Sequence, residues 1–320
     1  MIGMILKSVG IGFGGAGLVA LGLIASQHPN GGGAGKTLDF SGVQTGALLP
    51  DPQDVIMRDG YALQVRHIPA NTGPLVVMVH GSSWNGLQFD GLARSLQAEI
   101  LIPDLRGHGA KPGRRGDVDH IGQLEEDLAD LISAKTKEGQ KVVLLGHSSG
   151  GGLVVRMAGG AYANQIDAAV LLAPFLKYNA PTTRVQVGGW ARALTRRIIG
   201  LSMLNGVGIR ALNHLKVIEF NMPKSVLDGP YGDLATLSYS YRLNTSYAPR
   251  MDYMSDIAAL PPFLLIAGVE DEAFSADQYE SLMSEATSQG AYRLVPDTNH
   301  LGVVDTPATA AAISEFLNDL

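Results

Sequence analysis

The sequence predicts an α/β fold, a mostly parallel sheet with helices on both faces, and three observations carry that prediction. Short apolar runs recur along the chain as PLVVMV, EILIPDL, KVVLL, AAVLLAP, PFLLIAG and AYRLV. Most lack polar alternation, as strands buried on both faces do. Between them, IGQLEEDLADLISAKTKEG and SADQYESLMSEATSQ place apolar residues three and four apart, which is the helical period. The runs also end in glycine or polar residues (HGSS, DLRGHG, GHSSG, GVED, DTNH), where the strand C-termini of a parallel sheet open onto a site.

Composition permits this fold and excludes several alternatives. In 320 residues the hydrophobic class makes up 46%, far above a disordered chain, and the length allows two domains or one large α/β domain with an insertion. With 24 Lys plus Arg against 30 Asp plus Glu, the chain lacks the basic excess of a nucleic-acid binder. Cysteine is absent, so disulfides, thiolate metal sites and cysteine nucleophiles are excluded. Charge is divided unevenly: Lys177 to Ser255 carries ten basic and four acidic residues, and the rest of the chain is strongly acidic.

In chain order, residues 1–26 come first, mostly apolar with Lys7 as their one charge. As a helix rising about 1.5 Å per residue, the uncharged run from Ser8 to Ala25 reaches about 27 Å, just enough for a hydrocarbon core of about 30 Å. It is expected to be a transmembrane anchor or a cleaved signal segment, with a loosely packed soluble segment as the third reading. Lys7 favours a cytoplasmic N-terminus, which puts the remainder on the extracytoplasmic side or in the exported fraction. Gly12, Gly14 and Gly17 spell G-x-G-x-x-G, but no strand precedes them and no βαβ unit surrounds them, so a dinucleotide site is rejected. Residues 27–53 read as a glycine-rich flexible linker. DVIMRDGYALQVRHI then reads as a hairpin turning at Asp59-Gly60. Residues 54–176 form the first part of the α/β core, 177–258 a cap insertion, and 259–320 the second part.

The strongest chemical signal is Gly146-His147-Ser148-Ser149-Gly150, between the strand KVVLL and the helix-compatible GGLVVRMAGG. In a G-x-S-x-G elbow the serine sits on a strained strand-to-helix turn and the glycines avoid clashes. Ser149 is a rival nucleophile, but only Ser148 has glycines two residues away on both sides. A serine hydroxyl needs a base oriented by a carboxylate. Of eight histidines, His300 follows a strand-like run near the C-terminus and satisfies the chain order Ser, acid, His. His147, inside the elbow, is expected to point away from the pocket. Asp271, three residues after Gly268, is the expected acid; Glu270 is the next choice, and Glu270 and Glu272 otherwise read as solvated charges. The oxyanion of acyl transfer needs preorganised N–H donors, assigned to the backbone of Ser149 and of Ser82 in the loop His80-Gly81-Ser82-Ser83.

The ordered set HGSS, DLRGHG, GHSSG, GVED and NH resembles the α/β-hydrolase superfamily, and especially its monoacylglycerol lipase, lysophospholipase and serine-aminopeptidase-like branch. The resemblance covers about Asp54 to Leu320 apart from the insertion. It implies the α/β-hydrolase fold with a helical cap, nucleophile Ser148, acid Asp271, base His300, amide donors Ser82 and Ser149, and no metal or organic cofactor. Related dehalogenases and epoxide hydrolases carry an aspartate where Ser148 stands, and this chain departs from them.

Substrate choice belongs to the insertion. WARALTRRIIGLSMLNGVGIRAL sets Trp190, Leu194, Ile198, Ile199 and Leu201 beside Arg192, Arg196 and Arg197. Such a basic amphipathic helix suits an anionic membrane boundary or, more plainly, covers the site with its apolar face. Met203, Met222, Met251 and Met254 are candidates for an acyl pocket or for the cap's own core. An aminopeptidase would need carboxylates for the substrate's amine, and the cap offers only Glu219, Asp228, Asp233 and Asp252. The expected activity is therefore hydrolysis of a lipid-like carboxylic ester through an acyl-enzyme, with an aminopeptidase or amidase second. A non-catalytic binding protein on the same fold is the alternative of a different class.

Overall fold

The computed structural model describes residues 15–31, 37–40, 48–184 and 189–320. Eight strands form the central sheet: β1 (Gln53–Ile56), β2 (Ala62–Ile68), β3 (Leu75–Val79), β4 (Glu99–Asp104), β5 (Val142–His147), β6 (Ala168–Leu172) and, after an insertion, two more. The insertion contributes β7 (Ala191–Ala193), β8 (Lys216–Phe220) and β9 (Ser238–Ser240), and the core resumes with β10 (Phe263–Gly268) and β11 (Gly290–Val295). The sheet order is β1-β2-β4-β3-β5-β6-β10-β11; β2 is antiparallel to β1 and β4, and the other pairings are parallel. The hairpin at Asp59-Gly60 is present, with Ile56 opposite Ala62. Every residue of β3, β4, β5, β6 and β10 is buried, which explains their unbroken apolar runs.

Helices are α1 (residues 15–25), α2 (Asp90–Ser95), α3 (Gln123–Lys135), α4 (Ser149–Ala158), α5 (Thr195–Gly206), α6 (Lys224–Leu227), α7 (Tyr241–Tyr247), α8 (Tyr253–Ala258), α9 (Tyr279–Ser284) and α10 (Pro307–Asn318). Periodicity located α3 and α9, the latter shorter than its pattern and preceded by a single 3-10 turn at Ala276–Gln278.

The insertion is mixed rather than wholly helical. Residues 191–193, expected to continue the basic helix, are extended and pair with β8, which pairs in turn with β9. The helix begins only at Thr195, because Leu194 N–H is drawn to Val217 O at the sheet edge. The arginines expected on a solvated or lipid-facing surface hold the N-terminal segment instead. Arg197 donates to Ile24 O and Lys216 O, Arg196 to Ser26 O, and Arg192 to Asn30 and Glu219. In α1, Ala20 and Ile24 pack on Leu201, Leu204 and Val217 of the cap. At Gly200 a Cβ would stand 2.5 Å from Ala20 O, so glycine is what lets α1 and α5 approach. Among the described residues no helix is long and apolar enough to cross a membrane. The first half of the expected anchor, with Lys7 and Gly12, lies outside the described residues.

Candidate active site

The elbow is built as its glycines require. β5 ends at His147, α4 starts at Ser149, and Ser148 between them has φ +54° and ψ −121°. A serine holds this strained conformation because its surroundings fix it: its N–H donates to Leu172 O at 2.9 Å and its C=O accepts from Gly152 N–H at 3.1 Å. A Cβ on Gly150 would lie 2.1 Å from Val79 O, and one on Gly146 would lie 2.5 Å from the Gly150 backbone. Strand β3 and helix α4 cross at a distance that only glycine allows.

The loops after β10 and β11 converge on this turn. His300 Nε2 lies 3.0 Å from Ser148 Oγ, and its Nδ1 lies 2.9 Å from Asp271 Oδ2. Asp271 and His300 are both buried. The other Asp271 oxygen accepts the N–H groups of Ala273 and Phe274, each at 2.7 Å. Burial alone would raise this carboxyl, but His300 beside it and the two N–H donors outweigh burial and hold it below the ordinary value. The Asp271 carboxylate is therefore ionised and holds Nδ1–H of His300 toward itself, which leaves Nε2 facing Ser148 Oγ as an acceptor. Glu270, the next choice for the acid, makes a backbone bond to Thr298 O, while Asp271 supplies the carboxylate.

Two neighbouring residues, His147 and Glu272, sit differently from the sequence expectation. His147 does not point away: its ring lines the cleft, lies 4.8 Å from the His300 ring, and hydrogen-bonds His300 O through Nε2 at 3.0 Å. Burial, reinforced by the nearby His300, pushes its pKa down to about 3, so it is a neutral ring donating Nε2–H. A side chain in an elbow alternates across the strand end, and sequence spacing cannot say which loop it meets. Glu272 is not a solvated charge either; its carboxylate accepts the backbone N–H of His300 at 2.9 Å and that of Asp39 at 3.3 Å.

The hydroxyls of Ser82 and Ser149 lie 2.6 Å apart beside Ser148. Their backbone N–H groups make no protein hydrogen bond among the described residues, as donors reserved for a ligand would. The peptide joining Gly81 to Ser82 is oriented by His80, whose Nδ1 lies 2.9 Å from Gly81 O and whose Nε2 accepts Leu105 N–H at 3.1 Å. Burial lowers the His80 pKa to about 4, so it is neutral and donates through Nδ1. Because C=O and N–H point oppositely in a trans peptide, tethering the Gly81 carbonyl turns the Ser82 N–H the other way.

The walls of the cleft were the least legible part. Leu38 and Phe40, within the expected flexible linker, line it together with Trp84, Trp190, Leu301 and Val304. Leu38 is buried, and Phe40 packs against Trp84 and Trp190 at ring distances of 6.5 and 5.8 Å. The only sequence signal was the apolar pair in TLDF following the glycine run. Among the described residues no methionine lines the cleft: Met251 and Met203 are exposed and Met222 packs beside Trp84. Beyond Phe40 and Trp84 lies a second cavity of about 180 Å³, lined also by Val226, Pro230 and Tyr231 of the cap. Among the described residues no cluster of His, Asp and Glu has the makings of a metal site.

A parallel sheet with a serine elbow at its centre and acid and base on the loops after later strands defines the hydrolase class. The model of the alpha/beta hydrolase family matches residues 76–313, and the chain belongs to that family. Among curated relatives, the protein phosphatase methylesterase 1 of Gibberella zeae is 35% identical over 102 residues, 28% of this chain and 26% of that protein. Esterase PIR7B of Oryza sativa subsp. japonica is 32% identical over 103 residues, 30% of this chain and 37% of that one. The chain thus spans well under half the length of these relatives. Among solved structures, a soluble variant of monoglyceride lipase from Saccharomyces cerevisiae superposes with a TM-score of 0.64 at 17% identity, covering 86% of this chain and 97% of the other. A membrane phospholipase A described as a bacterial virulence factor gives 0.59 at 18% identity, covering 100% and 99%. At such identities these two structures speak for the fold alone.

Proposed function

We propose that the chain is a serine hydrolase that cleaves carboxylic esters of a lipid-like kind, of monoacylglycerol or lysophospholipid type, through an acyl-enzyme. The observation that carries this is the chain of contacts Ser148 Oγ, His300 and Asp271 at 3.0 and 2.9 Å, beside two unengaged amides. Ser148 Oγ attacks the ester carbonyl carbon as its proton passes to His300 Nε2, and the resulting oxyanion accepts from the N–H groups of Ser82 and Ser149. The tetrahedral intermediate collapses, the alcohol leaves with the proton from His300, and water repeats the sequence to free the acid. Asp271 stays ionised and stabilises the imidazolium.

A lipid-like acyl group is supported by the aromatic wall and the apolar second cavity. The cleft beside Ser148 is narrow, about 30 Å³, and Phe40 and Trp84 line both it and the cavity of about 180 Å³, which gives a longer acyl chain a path past them. One observation favours an amide or aminoacyl substrate: among the described residues Asp305 is the one carboxylic acid lining the cleft. A single carboxylate set among Leu38, Phe40, Trp84, Trp190, Leu301 and Val304 is a weak site for an ammonium group. The ester reading is preferred on that ground.

The proposal extends to location: residues 1–35 hold the enzyme at a membrane with its catalytic part on the extracytoplasmic side, or else direct its export. Leu18, Val19 and Leu21 of α1 and Ile199, Val207 and Ile209 near it are exposed apolar side chains that support a lipid-facing surface. Deleting residues 1–35 should move activity from the membrane to the soluble fraction; unchanged fractionation counts against the anchor. For the chemistry, a fluorophosphonate probe should label the enzyme, and Ser148→Ala should abolish labelling. Esters of increasing acyl length then read the pocket, and release of amine from aminoacyl substrates in preference to any ester would overturn the ester reading.

A further inference from the structure

We propose that Tyr239 is a positioning residue for the oxyanion hole: its phenolic oxygen, with the Thr236 N–H, clamps both backbone groups of Ser83 and so fixes the Ser82 N–H. This rests on the reading of Ser82 as an oxyanion donor.

Ser83 has φ +69°, in the left-handed region that a non-glycine residue occupies only when its surroundings impose it. Both its backbone groups are engaged, and both partners come from one stretch of the cap. Its N–H donates to Tyr239 Oη at 2.5 Å, and its C=O accepts the Thr236 N–H at 2.9 Å. Because the peptide unit is planar, holding the Ser83 N–H fixes the whole plane that follows Ser82. The plane before Ser82 is held by His80 through the Gly81 carbonyl. Ser82 therefore sits between two pinned planes, and its own N–H, the one without a protein acceptor, has a single direction left to it.

The phenol is suited to this task. Having accepted from Ser83, it donates its proton to His108 Nε2 at 2.7 Å. The Nδ1 of His108 in turn faces Arg106 O at 3.3 Å, so every polar group in the relay has a role. The relay needs a neutral His108, and burial, with His80 adjacent, keeps this imidazole uncharged. The ring of Tyr239 is fully buried, stacked on Tyr247 at 6.0 Å and met edge-on by Phe220 at 4.8 Å. A phenylalanine would fill that space equally well. The hydroxyl is there for its hydrogen bonds, and through them the donor at the catalytic centre is complete only while β9 of the cap is docked.

The test is Tyr239→Phe in the full-length enzyme, with Tyr241→Phe as control, since the latter loses a cap hydroxyl bonded to Ser202 far from the loop. For Tyr239→Phe, kcat on a short-chain ester should fall roughly ten- to a hundred-fold with KM nearly unchanged, part of what losing one donor costs. Affinity for a boronic acid, which forms a tetrahedral adduct on Ser148, should fall by a similar factor. Unchanged kcat, or equal losses in both variants, overturns the proposal. Amide exchange on the unaltered enzyme is an independent reading: the Ser83 N–H should be protected and the Ser82 N–H should exchange, and equal rapid exchange overturns the clamp. If the unaltered enzyme neither hydrolyses esters nor takes a fluorophosphonate at Ser148, the assignment of Ser82 as donor falls, whatever the exchange rates.

Discussion

Glu272 Oε2 accepts the backbone N–H of His300 at 2.9 Å, so the residue next to the acid also fixes the loop that carries the base. The same carboxylate takes Asp39 N–H at 3.3 Å, and Asn299, next to His300, donates to Asp39 Oδ2 at 3.3 Å. The N-terminal stretch over residues 37–40 is thereby tied to the catalytic loop as well as to the aromatic wall.

Removing that carboxylate should loosen His300 without altering its chemistry. Glu272→Ala is expected to lower kcat by roughly tenfold, the cost of a small misplacement of a reacting group. Fluorophosphonate labelling should persist at a slower rate. Full activity in Glu272→Ala would show that the bond to His300 does not position the base.

Phe40 and Trp84 separate the narrow cleft from the second cavity, so trimming that partition should change acyl selectivity more than rate. Phe40→Ala should raise kcat/KM for long-chain p-nitrophenyl esters several-fold relative to the butyrate. The cost in stability should be modest, because Phe40 is only partly buried. An unaltered chain-length profile across the panel would remove residues 37–40 from the substrate path.

Gly200 offers a way to part α1 from the cap. Gly200→Val would drive a side chain into Ala20 O and Ile24, at 2.5 and 2.8 Å from the added Cβ. Limited proteolysis should then cut within residues 15–31 while the melting of the core stays close to that of the parent. Undiminished resistance at the N-terminus would show that the contact with Leu201 and Leu204 tolerates the change.

Acidification should destabilise the fold through its buried histidines. Burial holds His80 and His147 at about 4 and about 3, below the ordinary value of 6.5 that they regain on unfolding. Below about pH 6.5 the unfolded chain binds the extra protons, so stability falls with pH, by up to about 1.4 kcal/mol per unit for each histidine. The loss continues until the folded values are reached. Asp271 acts in the same direction, since its lowered carboxyl contributes stability that is lost as pH drops through its folded value. Urea midpoints measured from pH 7 to 4.5 should decline, and less steeply in His147→Gln. A flat profile would mean these rings are not held neutral.

The sheet and the three residues that meet at its strand ends, Ser148, His300 and Asp271, could be read from the chain because both are local patterns. A strand buried on both faces must be apolar throughout, as Leu75–Val79 and Phe263–Gly268 are. An elbow at Ser148 must have glycines where β3 and α4 nearly touch, and the acid and base must follow strand ends. Those requirements leave residue types at fixed spacings.

Local pattern alone thus carries the fold, the hydrolase class and the candidate set Ser148, Asp271, His300, Ser82 and Ser149. Their surroundings come from the three-dimensional arrangement. It turned His147 into the cleft, engaged Glu272 with His300, drew 191–193 into a strand, put Leu38 and Phe40 in the wall, and set Arg196 and Arg197 against α1. Each of these depends on a partner far away in sequence, 260 residues apart for Asp39 and Asn299. Such contacts form between chain segments that the folded sheet brings together, and they leave no periodicity or motif in either segment alone.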